Sequence, residues 1–244
     1  MREVLVLIPA HNEEKNIGFI IDLIKKELSY ADVLVVDDGS TDKTSEIARE
    51  KGVFVISHEV NLGVGAAFKT GIKFALRKHY KYVIQIDADG QHDPKYAHML
   101  LDKLKRDKMD IVIGSRFKKR GRDEWYPLLR YIGVIFYSKL IRLITGYDIS
   151  DATSGYLVMN RKAMNAFMFF YPKRHPAIPS LFFAYLVGLR VGEVPVRPKP
   201  RLSGKSMFTK PRLIMYHIEN FFNILHAIRI AKVYKILKNQ KQNY

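Results

Sequence analysis

Short aliphatic runs alternate with longer segments of helical period through the first half of the chain. Val4 to Ile8 is continuously apolar, as a strand buried on both faces requires. A segment from about Glu14 to Leu28 follows, in which Ile17, Ile20, Ile21 and Ile24 share a helical face and Asn12 is the expected cap. The unit recurs. Strand Val33 to Val36 precedes a helix to about Lys51, capped by Ser40 or Thr41, and strand Val53 to Ser57 precedes a helix from about Val64 to His79. Strand Tyr82 to Ile86 precedes a helix near Lys95 to Arg106, and strand Ile111 to Gly114 closes the series. The pattern predicts an α/β fold: a doubly wound, mostly parallel central sheet with helices on both faces.

After Gly114 the pattern changes. Leu128 to Ile144 reads as a helix with Leu128, Ile132, Ile135, Phe136, Leu140, Leu143 and Ile144 apolar and Arg130, Lys139 and Arg142 between them. It is too charged to span a bilayer and suited to lie on one. A strand follows from Tyr156 to about Met159, then an aromatic-rich stretch from Met168 to Leu189 broken by Pro172, Pro176 and Pro179, and a strand from Val191 to Val196. A basic loop, RPKPRLSGKSMFTKPR, leads to a last helix from about Pro211 to Lys238. That helix is apolar through Ile214, Ile218, Phe221, Phe222, Leu225 and Ile228, and basic toward its end. Glu219, His217 and His226 argue against a membrane span. For both apolar helices, core packing or a dimer seam is the alternative to a membrane surface.

Charge sharpens that contrast. Residues 1 to 110 hold 17 Lys and Arg against 18 Asp and Glu, and the rest of the 244 residues hold 24 against 6. A basic half suits nucleic acid, an anionic membrane surface or a phosphorylated small molecule. The absence of cysteine excludes disulfides and thiolate catalysis. The first apolar run is too short and wrongly flanked for a signal peptide, so a cytoplasmic protein is expected.

The candidate chemistry centres on YVIQIDADGQHDP, residues 82 to 94. Alternation puts Asp87 and Asp89 on one face at the strand end, and Gly90 lets the chain turn so that the Gln91 oxygen swings toward them. Oxygen donors of this kind suit Mg²⁺ or Mn²⁺; a solvated Asp-Gly turn is the alternative. In a doubly wound sheet the turns at Glu13, at Asp37 and Asp38, and at Asp87 and Asp89 converge beyond the strand carboxyl ends. The first turn, PAHNEE, has no G-x-G-x-x-G, which argues against a dinucleotide fold. Asn61, Gly63 and Gly65 read as a helix-entry turn.

Seven segments in order, IPAHNEEKNI, VVDDGSTDKT, NLGVGAAFKTGIKFA, DADGQHDP, IGSRF, DATSGY and PRLSGKS, resemble glycosyltransferase family 2 with its GT-A fold, and within it the polyprenyl (dolichyl) phosphate mannose or glucose synthases. The resemblance covers about residues 1 to 210, which it implies are the catalytic domain, with 211 to 244 a C-terminal amphipathic basic helix. It implies that Pro9, His11, Glu13, Val36 and Asp38 hold the nucleotide's base and ribose. Asp87, Ala88, Asp89 and Gln91 look like the metal and diphosphate site, with Asp89 and Gln91 direct ligands. Arg116 and Arg201 are similar to arginines gripping the donor diphosphate and the acceptor phosphate, and Arg130 falls where an acceptor-phosphate arginine lies. The family's loop often ends G-x-S-Lys; here Gly204-Lys205-Ser206 precedes Met207, and Lys205 or Lys210 is the substitute.

The expectation is a metal-dependent inverting transferase moving a hexose from a GDP- or UDP-sugar to a polyprenyl phosphate, peripheral on the cytoplasmic membrane face, with a homo-oligomer allowed. A phosphate acceptor is a dianion near neutrality and needs no base, which fits the six acids of residues 111 to 244. The alternative acceptor is a saccharide hydroxyl with Asp151 as base, or Asp151 only caps the turn before the Tyr156 strand. His92 is expected to be structural, and Trp125 an interfacial anchor. A basic nucleic-acid-binding module is the non-enzyme alternative, disfavoured because aromatics and arginines do not interleave along a strand.

Overall fold

The computed structural model describes residues 2–118, 126–199 and 210–242. Within them lies one sheet of β1 (Val4–Ala10), β2 (Asp32–Asp37), β3 (Phe54–Ser57), β4 (Tyr82–Gln85), β5 (Ile111–Ser115), β6 (Leu157–Asn160) and β7 (Val191–Pro195), in the order β3-β2-β1-β4-β6-β5-β7. All pairings are parallel except those of β6, which runs antiparallel between β4 and β5, with Gln85 opposite Leu157 and Ile113 opposite Leu157. The mostly parallel sheet is as expected; the inserted antiparallel strand is not.

The aliphatic runs are continuous because both faces of the sheet are covered. Leu5, Leu7, Leu34 and Val36 point to the face packed by α3 (Val64–Arg77), α5 (Leu128–Thr145), α6 (Arg161–Phe169), α7 (Ala177–Leu186) and α8 (Lys210–Gln242). Val4, Val6, Ile8, Val33 and Val35 point to the other, against α1 (Ile17–Glu27), α2 (Thr44–Glu50) and α4 (Ala97–Arg106). The proline-broken stretch becomes α7, with Ile178 to Tyr185 buried all round. Helix α8 sends Ile224, Ala227 and Ala231 into the first of these cores. No helix among the described residues is long and apolar enough to cross a membrane.

Two cap expectations are corrected. Helix α1 starts at Ile17, later than expected, because Asn12 sits at φ 55° and spends its side chain on the neighbouring loop. Helix α2 starts at Thr44, and Asp42 Oδ1, rather than Ser40 or Thr41, accepts from the Thr44 N–H at 3.0 Å.

Candidate active site

The carboxyl ends of β1 and β2 are stitched into one wall. The Asn12 N–H donates to Ser40 Oγ at 2.9 Å, and the Thr41 N–H donates to Asn12 Oδ1 at 2.8 Å. The Glu13 N–H donates to Thr44 Oγ1 at 2.8 Å and the Glu14 N–H to Asp42 Oδ2 at 3.1 Å. Burial raises the Asp42 carboxyl, but the Thr44 hydroxyl and the Glu14 and Thr44 backbone N–H groups outweigh it and hold it below the ordinary value.

Next along the rim, Asp38 anchors the glycine turn ahead of α3. Its carboxylate accepts the N–H groups of Leu62 and Gly63 at 3.0 and 2.7 Å. Gly63 sits at φ 97°, and a Cβ there would lie 2.7 Å from the Lys173 carbonyl oxygen. At Gly65 a Cβ would overlap the Pro172 carbonyl, and the Gly65 N–H donates to Lys173 O at 2.9 Å. These glycines exist so that the 172–173 backbone can lie on the helix entry, which is more than a turn requires.

At the end of β4, Gln85 Nε2 donates to Asp87 Oδ1 at 3.3 Å, and the Gln91 N–H donates to Asp89 Oδ1 at 3.0 Å. The Asp87 N–H donates to His92 Nδ1 at 3.1 Å, so Nδ1 is unprotonated and the His92–Asp87 approach is no ion pair. His92 also stacks on Tyr156 with ring centroids 5.0 Å apart, the structural place expected of it. The turn ahead of antiparallel β6, Thr153 to Gly155, then comes to the same edge.

These walls enclose a cavity of about 1060 Å³. Pro9, His11, Glu13, Asp38, Asp87, Ala88, Asp89 and Arg130 all line it, together with Lys15, Lys173 and Arg174 and residues of α5 and α8 such as Tyr137, Met215 and His217. The structure thus brings together most of the residues singled out in the sequence. Val36 is not among them, since its side chain lies in the core beside Leu5 and Leu7. Gln91 lines a separate recess of about 10 Å³ with Arg116 and Tyr156. No cluster of three or more His, Asp or Glu suited to a metal occurs among the described residues. Arg201, Lys205, Ser206, Trp125 and most of the 118–122 basic run lie outside the described residues.

Arg116 and Asp151 face each other instead of the cavity. Arg116 Nε and Nη2 donate to Asp151 Oδ2 and Oδ1 at 2.7 and 2.8 Å, its backbone N–H adds a third bond at 3.1 Å, and Nη2 reaches Thr153 Oγ1 at 2.6 Å. Asp151 is fully buried, and its own N–H donates to Glu193 Oε1 at 3.0 Å. Burial raises the Asp151 carboxyl, yet the Arg116 charge and hydrogen bonds outweigh it and hold the group below the usual carboxylate range. A buried carboxylate held in a bidentate pair is poorly placed to accept a proton from a substrate. On its other side, the Arg116 guanidinium lies 5.2 Å from the Tyr126 ring, whose centroid is also 5.2 Å from the Arg130 guanidinium. The pair therefore backs a stack that ends at the cavity. His58, which joins Asp38 to Thr70, had no role in the sequence reading; its signal was a polar residue directly after a strand, at the same edge as the acids.

A sheet of this order with an acid-lined cavity over its carboxyl edge defines a GT-A-type glycosyltransferase. The superposed fold agrees: glucosyl-3-phosphoglycerate synthase from Mycobacterium tuberculosis, solved with Mn²⁺, UDP and glucosyl-3-phosphoglycerate, matches with TM-score 0.72 over 93% of this chain and 80% of its own, at 19% identity. The profile of Glycosyl transferase family 2 matches residues 5–167, and the chain belongs to that family. Similar relatives include the UDP-N-acetylglucosamine–dolichyl-phosphate N-acetylglucosaminyltransferase of Methanococcus voltae, 30% identical over 80% of this chain and 84% of its own. The polyprenol monophosphomannose synthase of Mycolicibacterium smegmatis is 32% identical over 67% and 63%. A Methanocaldococcus jannaschii protein of uncharacterised role is 38% identical over 80% and 81%.

Proposed function

We propose that the chain transfers a hexose, with inversion, from a GDP- or UDP-sugar to a polyprenyl phosphate at the cytoplasmic face of a membrane. The observation that carries this reading is one cavity that sets Glu13, Asp38, Asp87 and Asp89 against Arg130, beside helices whose outward faces are apolar. The names of the two relatives above, a dolichyl-phosphate and a polyprenol enzyme, support the acceptor class.

Pro9, His11, Glu13 and Asp38 form the wall for the nucleoside, and Arg130 and the loop cations Arg201 and Lys205, with Ser206, take phosphate oxygens. Asp87 and Asp89 fit a hard divalent cation, Mg²⁺ or Mn²⁺, because such ions commonly take one or two carboxylates and complete their shell with substrate phosphates and water. When bound, the ion supplies positive charge to the departing diphosphate. An acceptor phosphate oxygen forms its bond to the sugar C1 as the bond from C1 to the donor diphosphate oxygen breaks, and the nucleoside diphosphate leaves with the electron pair. No side chain has to remove a proton, since the acceptor is already a dianion near neutral pH. That agrees with Asp151 being spent on Arg116.

On α5, Leu128, Leu129, Ile132, Phe136 and Leu143 are exposed, and on α8 Met215, Ile218, Phe221, Phe222 and Leu225 are exposed. An anionic bilayer surface covering these faces would deliver the lipid phosphate to the cavity mouth between the helices.

The test is transfer of labelled hexose to a polyprenyl phosphate in detergent. Product is expected with Mn²⁺, none with EDTA, and none from Asp89→Ala at any Mn²⁺ concentration. Wild-type turnover by Asp89→Ala refutes the metal role, and absence of lipid product from every nucleotide hexose refutes the acceptor.

A further inference from the structure

Behind the nucleoside wall lies a half-buried relay that the reaction above leaves unused. His58, just past β3, has a side chain 11% exposed; its Nδ1 is 2.7 Å from Asp38 Oδ1 and its Nε2 is 2.9 Å from Thr70 Oγ1 on α3. A carboxylate accepts, so His58 Nδ1 donates to Asp38, and Nε2 shares its hydrogen bond with the Thr70 hydroxyl. Oδ1 of Asp38 also accepts the Leu62 N–H at 3.0 Å, while Oδ2 accepts the Gly63 N–H at 2.7 Å.

A carboxylate offers about four acceptor positions, two on each oxygen. Here Oδ1 is filled by His58 and Leu62, and Oδ2 is half filled by Gly63. One position remains, on Oδ2, in a side chain that is 4% exposed and lines the cavity.

We propose that the Thr70–His58 relay makes Asp38 a reader of the donor's base with room for one N–H, selecting uracil over guanine. The inference rests on the nucleotide-sugar reading and narrows it to uridine donors. Uracil presents a single ring N–H between two carbonyls. Guanine presents N1–H and N2–H side by side, and pairing both with one carboxylate needs an open position on each oxygen. With Oδ1 closed, one guanine donor is buried without a partner, a loss of about 10- to 100-fold in affinity. His58 is a positioning residue: it does not line the cavity but fixes which carboxylate oxygen is open.

Calorimetric titration of the full chain with UDP and with GDP, Mn²⁺ present, tests this without any acceptor. UDP is expected to bind at least about 10-fold more tightly. His58→Leu opens a position on Oδ1 and is expected to weaken UDP while narrowing the UDP/GDP ratio by about 10-fold. His58→Asn, which keeps an N–H donor near the place of Nδ1, is expected to restore the ratio. If His58→Leu does not fold, Thr70→Val, which only releases the ring, is expected to narrow the ratio less. GDP binding as tight as UDP to the wild type, or an unchanged ratio in a folded His58→Leu, overturns the proposal and leaves the transferase standing. Binding of neither nucleotide overturns the transferase reading and the proposal with it.

Discussion

Replacing Asp151 by asparagine separates two roles for this residue, a clamp for Arg116 and a proton acceptor. The substitution preserves shape and removes the charge opposite a guanidinium whose side chain is 19% exposed, while Asp151 itself is fully buried. Removing one partner of a buried ion pair costs about 3–5 kcal/mol, and the partial solvent access of Arg116 places this case near 3. For a chain of this size each kcal/mol lowers the melting temperature by about 2–4 °C, so Asp151→Asn is expected to melt about 6–12 °C below the wild type. Arg116→Met should cost a similar amount, whereas Asp151→Leu with Arg116→Met should cost far less than the two single changes combined, because no charge is then left uncompensated. Differential scanning calorimetry at neutral pH reads all three. Transfer to polyprenyl phosphate, measured well below the melting range, should survive in Asp151→Asn within about tenfold, where loss of a general base would cost about 10²- to 10⁴-fold. A melting point within about 2 °C of the wild type, combined with loss of turnover of that larger size, refutes the clamp.

Gly65→Ala sets a methyl group into the Pro172 carbonyl, and the backbone on both sides must move. It should cost about 2 kcal/mol or more and weaken nucleotide binding, as read by thermal melting and titration. Stability should also fall on acidification. Burial holds His217 below its ordinary value, and His175 is likewise lowered by burial against a partial offset from Glu219. Their folded values lie below the unfolded value of about 6.5, so the unfolded chain binds the extra protons; stability is full above about pH 6.5 and declines as pH falls below it. Melting points measured from pH 7.5 to 5 should show that slope, and His217→Phe should flatten it. Finally, Phe136→Asp with Phe222→Asp should reduce sedimentation with anionic vesicles by about tenfold or more without lowering the melting temperature, since both rings are more than half exposed. Unchanged sedimentation removes the membrane contact.

Most strands and helices were legible because their residues report burial directly: a strand covered on both faces is a solid aliphatic run, and α1 and α3 keep one apolar stripe. The converging acids were legible too, since the ends of parallel strands share an edge. Strand direction was not. Leu157 to Asn160 reads the same whichever way it runs, and nothing local marks its insertion between β4 and β5. Side-chain partnership was also hidden. Asn12 has the composition of a cap, yet binds a loop nearly thirty residues away; Asp151 has the composition of a base, yet closes on Arg116. Gln91 follows a glycine that permits a turn toward the carboxylates, but the residue lines the recess beside Tyr156. His58 offered no periodicity to read and became visible only through Asp38.

The antiparallel strand also constrains how the chain assembles. Strands β4 and β5 do not pair with each other; each bonds to β6, and β7 bonds to β5 alone. The N-terminal four strands can therefore pair as they emerge, whereas β5 has no place to dock until the segment near residue 160 has been synthesised. Closure at such long sequence separation is slow, so an intermediate with the β1–β4 side formed and the Arg130 side still open should accumulate during refolding. In the native state the β6 amides should exchange with solvent only through global unfolding, because opening that strand splits the sheet in two.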